Sequence, residues 1–159
     1  MKKHLSILIL TINSIAIYAQ DEPNYPQLTD GIKRVDLNLP QIQNAEDYKV
    51  EVSFGIQIKV SECSDVKKFS FNKANIKQEF GLPHRYLYYT ISENQPVEIS
   101  SSNNVANCDK TKMVTKKVTS YQNVFIDYYD NFEVPFFIPK NWTLEYRIWK
   151  AQENYKTLN

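Results

Sequence analysis

From Tyr48 onward the chain alternates. Val50, Val52, Phe54, Ile56, Ile58 and Val60 fall between Lys49, Glu51, Ser53, Gly55, Gln57 and Lys59. Strict alternation over that length predicts a β-strand with one face on a core and the other in water. Shorter versions recur. Val35, Leu37 and Leu39 alternate before Pro40, and Tyr86–Ile91, Met113–Tyr121 and Val124–Tyr129 are rich in aromatic and β-branched residues. Phe136, Phe137 and Ile138 stand between two prolines. In 143–149, Leu144, Tyr146 and Ile148 share one face, while Thr143, Glu145, Arg147 and Trp149 share the other. A tryptophan on a polar face either lies over neighbouring aliphatic stems or fills a partner's pocket. No segment sustains an apolar period of 3.6 residues. Seven or eight short strands separated by Asn, Asp, Pro and Ser turns predict an all-β fold, a small antiparallel sandwich or barrel, preceded by an extended arm over 21–30.

Composition narrows the picture. The first residues place Lys2 and Lys3 before an apolar run from Leu5 to Tyr18 and then Ala19. This is the order of a secretory leader, cut after Ala19 or after Gln20. Thr11, Asn13 and Ser14 interrupt the run, which falls short of the roughly 20 apolar residues that span a bilayer. The remaining chain, 20–159, is one domain's worth of sequence. Two of the 19 basic residues belong to the leader, which leaves 17 against 18 acidic ones. A chain so nearly neutral has no electrostatic footprint for nucleic acid or for a membrane surface.

Two cysteines in an exported domain most simply join, Cys63 to Cys108. Metal ligation is the competing role, but it needs further ligands, and the mature chain has one histidine, His84. Three glycines exclude a phosphate-cradling loop and a dinucleotide fingerprint, so no cofactor is implied. The carboxylates are scattered, with no pair suited to acid–base work. A hydrolase would have to use His84, which lies in the turn-like "GLPHRY" and reads as a surface residue. The composition therefore favours a binding protein over an enzyme. One stretch invites binding: "SSSNNVANC", residues 100–108, is polar, lacks glycine and ends on a cysteine. It reads as a surface loop with a covalent anchor.

Several stretches in order resemble the ecotins, periplasmic serine-protease inhibitors. They are Tyr25-Pro26-Gln27 and Gly31-Ile32-Lys33-Arg34, then the strand at Lys49-Val50-Glu51 with Gly55, leading to Cys63. "YLYYTI" with Gln95-Pro96-Val97 follows, then Cys108, Lys116–Tyr121 and the closing "YRIWKAQE" over Tyr146 to Glu153. The resemblance covers nearly the whole mature chain. It implies a periplasmic inhibitor of chymotrypsin-fold serine proteases, a homodimer that exchanges C-terminal strands. It also implies a reactive loop, Asn103, Asn104, Val105, Ala106 and Asn107, anchored by Cys63–Cys108. Counting back from Cys108, the family pattern puts Val105 in the protease's primary pocket and the scissile bond before Ala106. A medium β-branched side chain suits an elastase-like pocket better than an acidic trypsin-like one. The ten residues Glu98 to Asn107 exceed the family's loop, which could move the apex toward Asn103 or Asn104.

The resemblance further implies a second protease contact from the partner subunit, near Leu82, His84 and Arg85 and near Asp130, Asn131 and Phe132. It makes Tyr146, Ile148 and Trp149 candidates for the dimer interface. An exported β-barrel binder of another kind, a lysozyme inhibitor or small-ligand carrier, is the alternative.

Overall fold

A computed structural model describes residues 24–82, 86–102, 108–152 and 154–158. The expected leader, residues 1–19, lies outside them. Among the described residues, nine strands form two sheets. One contains β1 (Ile32–Leu37), β4 (Ile76–Gly81), β5 (Tyr86–Ile91) and β8 (Val134–Pro139), in the order β1-β8-β5-β4. The other contains β2 (Tyr48–Ser61), β3 (Asp65–Ser70), β6 (Glu98–Ser102), β7 (Met113–Asp127) and β9 (Trp142–Lys150), in the order β6-β3-β7-β2-β9. The fold is all-β as expected, and it is an open sandwich, because neither sheet closes on itself. Two neighbouring pairs, β3 with β7 and β5 with β8, run parallel, which the antiparallel expectation did not include.

The alternation of β2 is realised on the inner face. Val50, Val52 and Phe54 are fully buried, beside Val118 and Ile126 of the neighbouring strand β7, in one core with Phe136 and Ile138 of β8 from the other sheet. Phe54, Phe69, Phe71 and Trp142 meet with ring centroids 5.0–5.9 Å apart, and Tyr89 stacks on Phe136 at 4.8 Å. Each such side chain contributes about 1.5–3 kcal/mol on burial. Among the described residues, rings thus fill the centre of the space between the sheets.

Two departures from simple alternation have local causes. Strand β8 is buried on both faces because the N-terminal arm crosses the outside of its sheet. The Tyr25 ring lies edge-on to Tyr88 at 5.6 Å and 6.1 Å from Phe137, with the Arg34 guanidinium above it. The two stretches read from the sequence as separate, Met113–Tyr121 and Val124–Tyr129, form one strand with a bulge. Ser53 pairs with Asn123 and Gly55 with Thr119, so Ser120, Tyr121 and Gln122 all oppose Phe54. The buried Ser120 hydroxyl pins the bulge. It accepts the Phe54 N–H at 3.2 Å and donates to the Gln122 carbonyl at 2.7 Å.

Candidate functional site

Cys63 follows the end of β2, and Cys108 precedes β7. The two are joined, with their Cα atoms 5.3 Å apart and 45 positions between them in sequence. That removes the cysteines from any metal site. The chain on both sides of the bond is clasped by polar contacts. The Glu62 N–H donates to the Lys112 carbonyl at 2.8 Å, and the Ser61 hydroxyl donates to the Lys110 carbonyl at 3.1 Å while accepting the Cys63 N–H. Asp109 accepts the N–H and hydroxyl of Thr111 at 2.8 and 2.6 Å, a local turn that carries the chain from Cys108 into β7. These Thr111 bonds hold the Asp109 carboxyl below its usual range, and the Lys112 ammonium at 2.7 Å does the same for Glu62. Lys116 reaches across to the Ser64 carbonyl at 2.6 Å.

On the other side of the candidate loop, the chain is held twice. Gln95 is buried, takes a hydrogen bond from Asn75 at 2.7 Å and donates to the Pro96 carbonyl at 2.8 Å. Strand β6 then pairs with β3, Ser102 opposite Asp65. Of the ten residues from Glu98 to Asn107, five are therefore strand, and five stand between Ser102 and Cys108. Asn103, Asn104, Val105, Ala106 and Asn107 themselves lie outside the described residues, as do His84 and Arg85.

The described members of the second expected contact gather at the far end of β7. Leu82 follows β4, is 63% exposed, and its carbonyl accepts the Asn24 N–H at 2.8 Å. Asp130 accepts the Ile42 N–H at 3.3 Å, and Asn131 is exposed. Phe132 is half-buried, its ring 4.8 Å from Tyr129 and 6.4 Å from Tyr86, the residue opposite Gly81 at the β4–β5 connection. The 15 residues of β7 separate this patch from the disulfide, about 45–50 Å for extended chain.

The expected interface residues do not share a face. Register with β2 puts Tyr146 opposite Val52 and Ile148 opposite Val50, on the core side, yet they remain 46% and 43% exposed because nothing among the described residues covers β9 there. Trp149 points to the other face. Its indole N–H donates to Glu51 at 2.7 Å, and the Arg147 guanidinium lies over its ring. Sequence reasoning missed Glu51. Its carboxylate also takes hydrogen bonds from Arg147 and Asn123, and the Arg147 bond chiefly lowers its pKa against the opposing effect of burial.

The sequence matches the Ecotin family over residues 21–151, more than four-fifths of the chain. It is also 26% identical, over 156 residues, to a protein of Methylobacillus flagellatus described as ecotin-like, an alignment spanning 97% of this chain and 91% of the relative. With a disulfide-clasped end, a two-sheet β fold and a family match of this extent, the chain belongs to the Ecotin family.

Proposed function

We propose that the chain is an exported, substrate-like inhibitor of chymotrypsin-fold serine proteases, acting through residues 103–107. Members of the Ecotin family are serine-protease inhibitors and not enzymes. The observation that carries the finer reading is the clasp. The five residues are bounded on one side by a paired strand and on the other by a disulfide buttressed by the Ser61, Glu62 and Asp109 contacts. A bait held at both ends loses little entropy on binding. It lies in the protease cleft as an added strand, with the Val105 carbonyl at the oxyanion hole. Attack of the protease serine on that carbonyl breaks the bond to the Ala106 nitrogen and gives an acyl-enzyme. The new amine cannot leave, because Cys108 ties it to the body two residues on. Re-formation of the peptide bond is then intramolecular and outruns hydrolysis.

Strand β6 supports Val105 as the primary-specificity residue. It occupies Glu98–Ser102, so five residues before Cys108 remain for the loop, with Val105 at their centre. The second contact, Leu82, His84 and Arg85 with Asp130, Asn131 and Phe132, belongs to the same reading. One chain cannot place both ends of β7 on one protease cleft, so the second contact comes from another subunit. Exchange of β9, with Tyr146 and Ile148 entering the interface and the Trp149–Glu51 contact remade between chains, supplies the homodimer. Residues 1–19 are the leader that delivers the chain to the periplasm.

The test is a titration of protein beginning at Gln20 against elastase-, chymotrypsin- and trypsin-like proteases, with mass spectrometry of the loop after long incubation. Stoichiometric inhibition, strongest for the elastase-like enzyme, with slow cleavage after Val105, is the expected result. Cleavage after Asn103 or Asn104 moves the site. Rapid degradation, or no complex with any of the three, overturns the reading.

A further inference from the structure

Charge is unevenly placed along this nearly neutral chain. Residues 57–68 and 109–117, which flank the disulfide on β2, β3 and β7, hold seven lysines and three carboxylates. The rest of residues 20–159 holds ten basic and fifteen acidic residues. The three local carboxylates are already engaged, Glu62 with Lys112 at 2.7 Å, Asp65 with Lys67 at 3.2 Å and Asp109 with Thr111. Lys59, Lys67, Lys110 and Lys112 are exposed. Pairing brings them to one end of the sandwich. Lys59 is opposite Thr115, two residues from the Ser61–Met113 pair that closes the sheet beside Cys63, and the Lys110 carbonyl is bonded to Ser61. Strand β6, the neighbour on the other side, contributes no lysine, and its one carboxylate, Glu98, pairs at the Ser70 end, away from Asp65.

We infer that this lysine collar is a steering surface for a protease whose face around the cleft is acidic. The inference rests on the inhibitory reading and adds a partner chemistry that the primary-specificity residue does not determine. Lysines beside the loop anchor meet the protease at the rim of the contact, where they stay solvated. Rim charges act on diffusional encounter and on its salt dependence, and leave the dissociation rate to the buried contacts. Two enzymes with the same primary pocket would therefore be captured at different rates according to the charge around their clefts.

The experiment compares wild type with the triple variant Lys59→Gln, Lys67→Gln, Lys110→Gln. Association and dissociation rates are measured by stopped-flow at about 20 mM and about 300 mM salt. Two chymotrypsin-fold proteases are used, one with acidic and one with basic residues around the cleft. Wild type should associate faster with the acidic-rimmed enzyme at low salt. The variant should lose that advantage by about tenfold with an unchanged dissociation rate and unchanged thermal unfolding. The difference should collapse at high salt. Equal salt slopes for wild type and variant overturn the collar while leaving the inhibitor intact. Retention on immobilised heparin that the variant loses, with protease association unaltered, overturns it in favour of a polyanion. No complex with either enzyme at either salt overturns the inhibitory reading itself.

Discussion

Glu51 lies in the most regular alternation of the chain, at a position that points away from the core, yet it is 5% exposed. The cover comes from its neighbours across two strands. Phe125 of β7 and Arg147 of β9 are its register partners, and Asn123, Arg147 and the Trp149 indole all donate to its carboxylate. Arg147 is two-thirds exposed, so solvent screens the ion pair, and much of the net effect comes from the indole and amide bonds. Glu51→Gln should lower unfolding free energy by about 1–2 kcal/mol at neutral pH. Because the native pKa is lowered, this stability is fully present above the ordinary carboxylate value and is lost as pH falls through the native one. The gap between wild type and variant should therefore close below about pH 4. Urea unfolding at neutral and acidic pH checks it, and a gap that persists in acid would show that packing, not charge, is what Gln fails to replace. The sequence could not reveal this residue. Alternation assigns a face, but not what the register of two other strands places over it.

At the scale of elements, β9 is held to β2 by a close approach as well as by Glu51. Gly55 lies opposite Thr143, and a Cβ added there would stand 2.5 Å from the Thr143 hydroxyl oxygen and 3.3 Å from Lys117 Cε. Among the described residues, that hydroxyl is buried without a hydrogen-bond partner. Gly55→Ala should destabilise by about 1–3 kcal/mol by forcing the strands apart, whereas Thr143→Ala alone should cost little. The double variant should recover most of the loss, an interaction that a thermodynamic cycle from denaturant melts measures directly. Because β9 has no neighbour on its second edge among the described residues, Tyr146→Ser with Ile148→Ser should abolish the proposed dimer. Sedimentation would read this, with the monomer still folded. The same elements show what periodicity can and cannot disclose. Strands β2, β5 and β8 were legible because they carry alternating or dense β-forming side chains on a buried face, and β9 because its side chains alternate, although from Glu145 onward they are exposed. Strand β3, "DVKKFS", buries only Val66 and Phe69, β4, "IKQEFG", half-buries Ile76 and exposes Phe80, and β6, "EISSS", exposes Ile99, so none has a period to read. The bulge in β7 was hidden for another reason. It inserts residues without changing which ones face the core, so at the bulge the apolar pattern is interrupted by Ser120 and Gln122, and the fold buries the Ser120 hydroxyl to pin the backbone.

Across the whole molecule, the two sheets enclose an aromatic core, and the disulfide lies beyond it, at the end where β2 finishes and β7 begins. The position matters for what its loss should do. Replacing both cysteines, Cys63→Ser with Cys108→Ser, releases a closure of 45 positions, which the chain-entropy model values at about 4 kcal/mol. The core cluster contains neither cysteine, so its packing does not depend on the bond. The variant should therefore remain folded, with unfolding free energy lower by about 2–4 kcal/mol and native circular dichroism at 25 °C. Its behaviour toward a protease should change in kind. Without the bond, the amine released at Ala106 is tethered only through flexible chain, the effective concentration for resynthesis falls, and hydrolysis of the acyl-enzyme gains. A folded variant that is cleaved with turnover, where wild type forms a lasting complex, would show that the clasp converts a substrate loop into an inhibitor. A folded variant that inhibits as well as wild type would move the restraint to strand β6 and to the Ser61, Glu62 and Asp109 contacts, which hold the same end without the covalent bond.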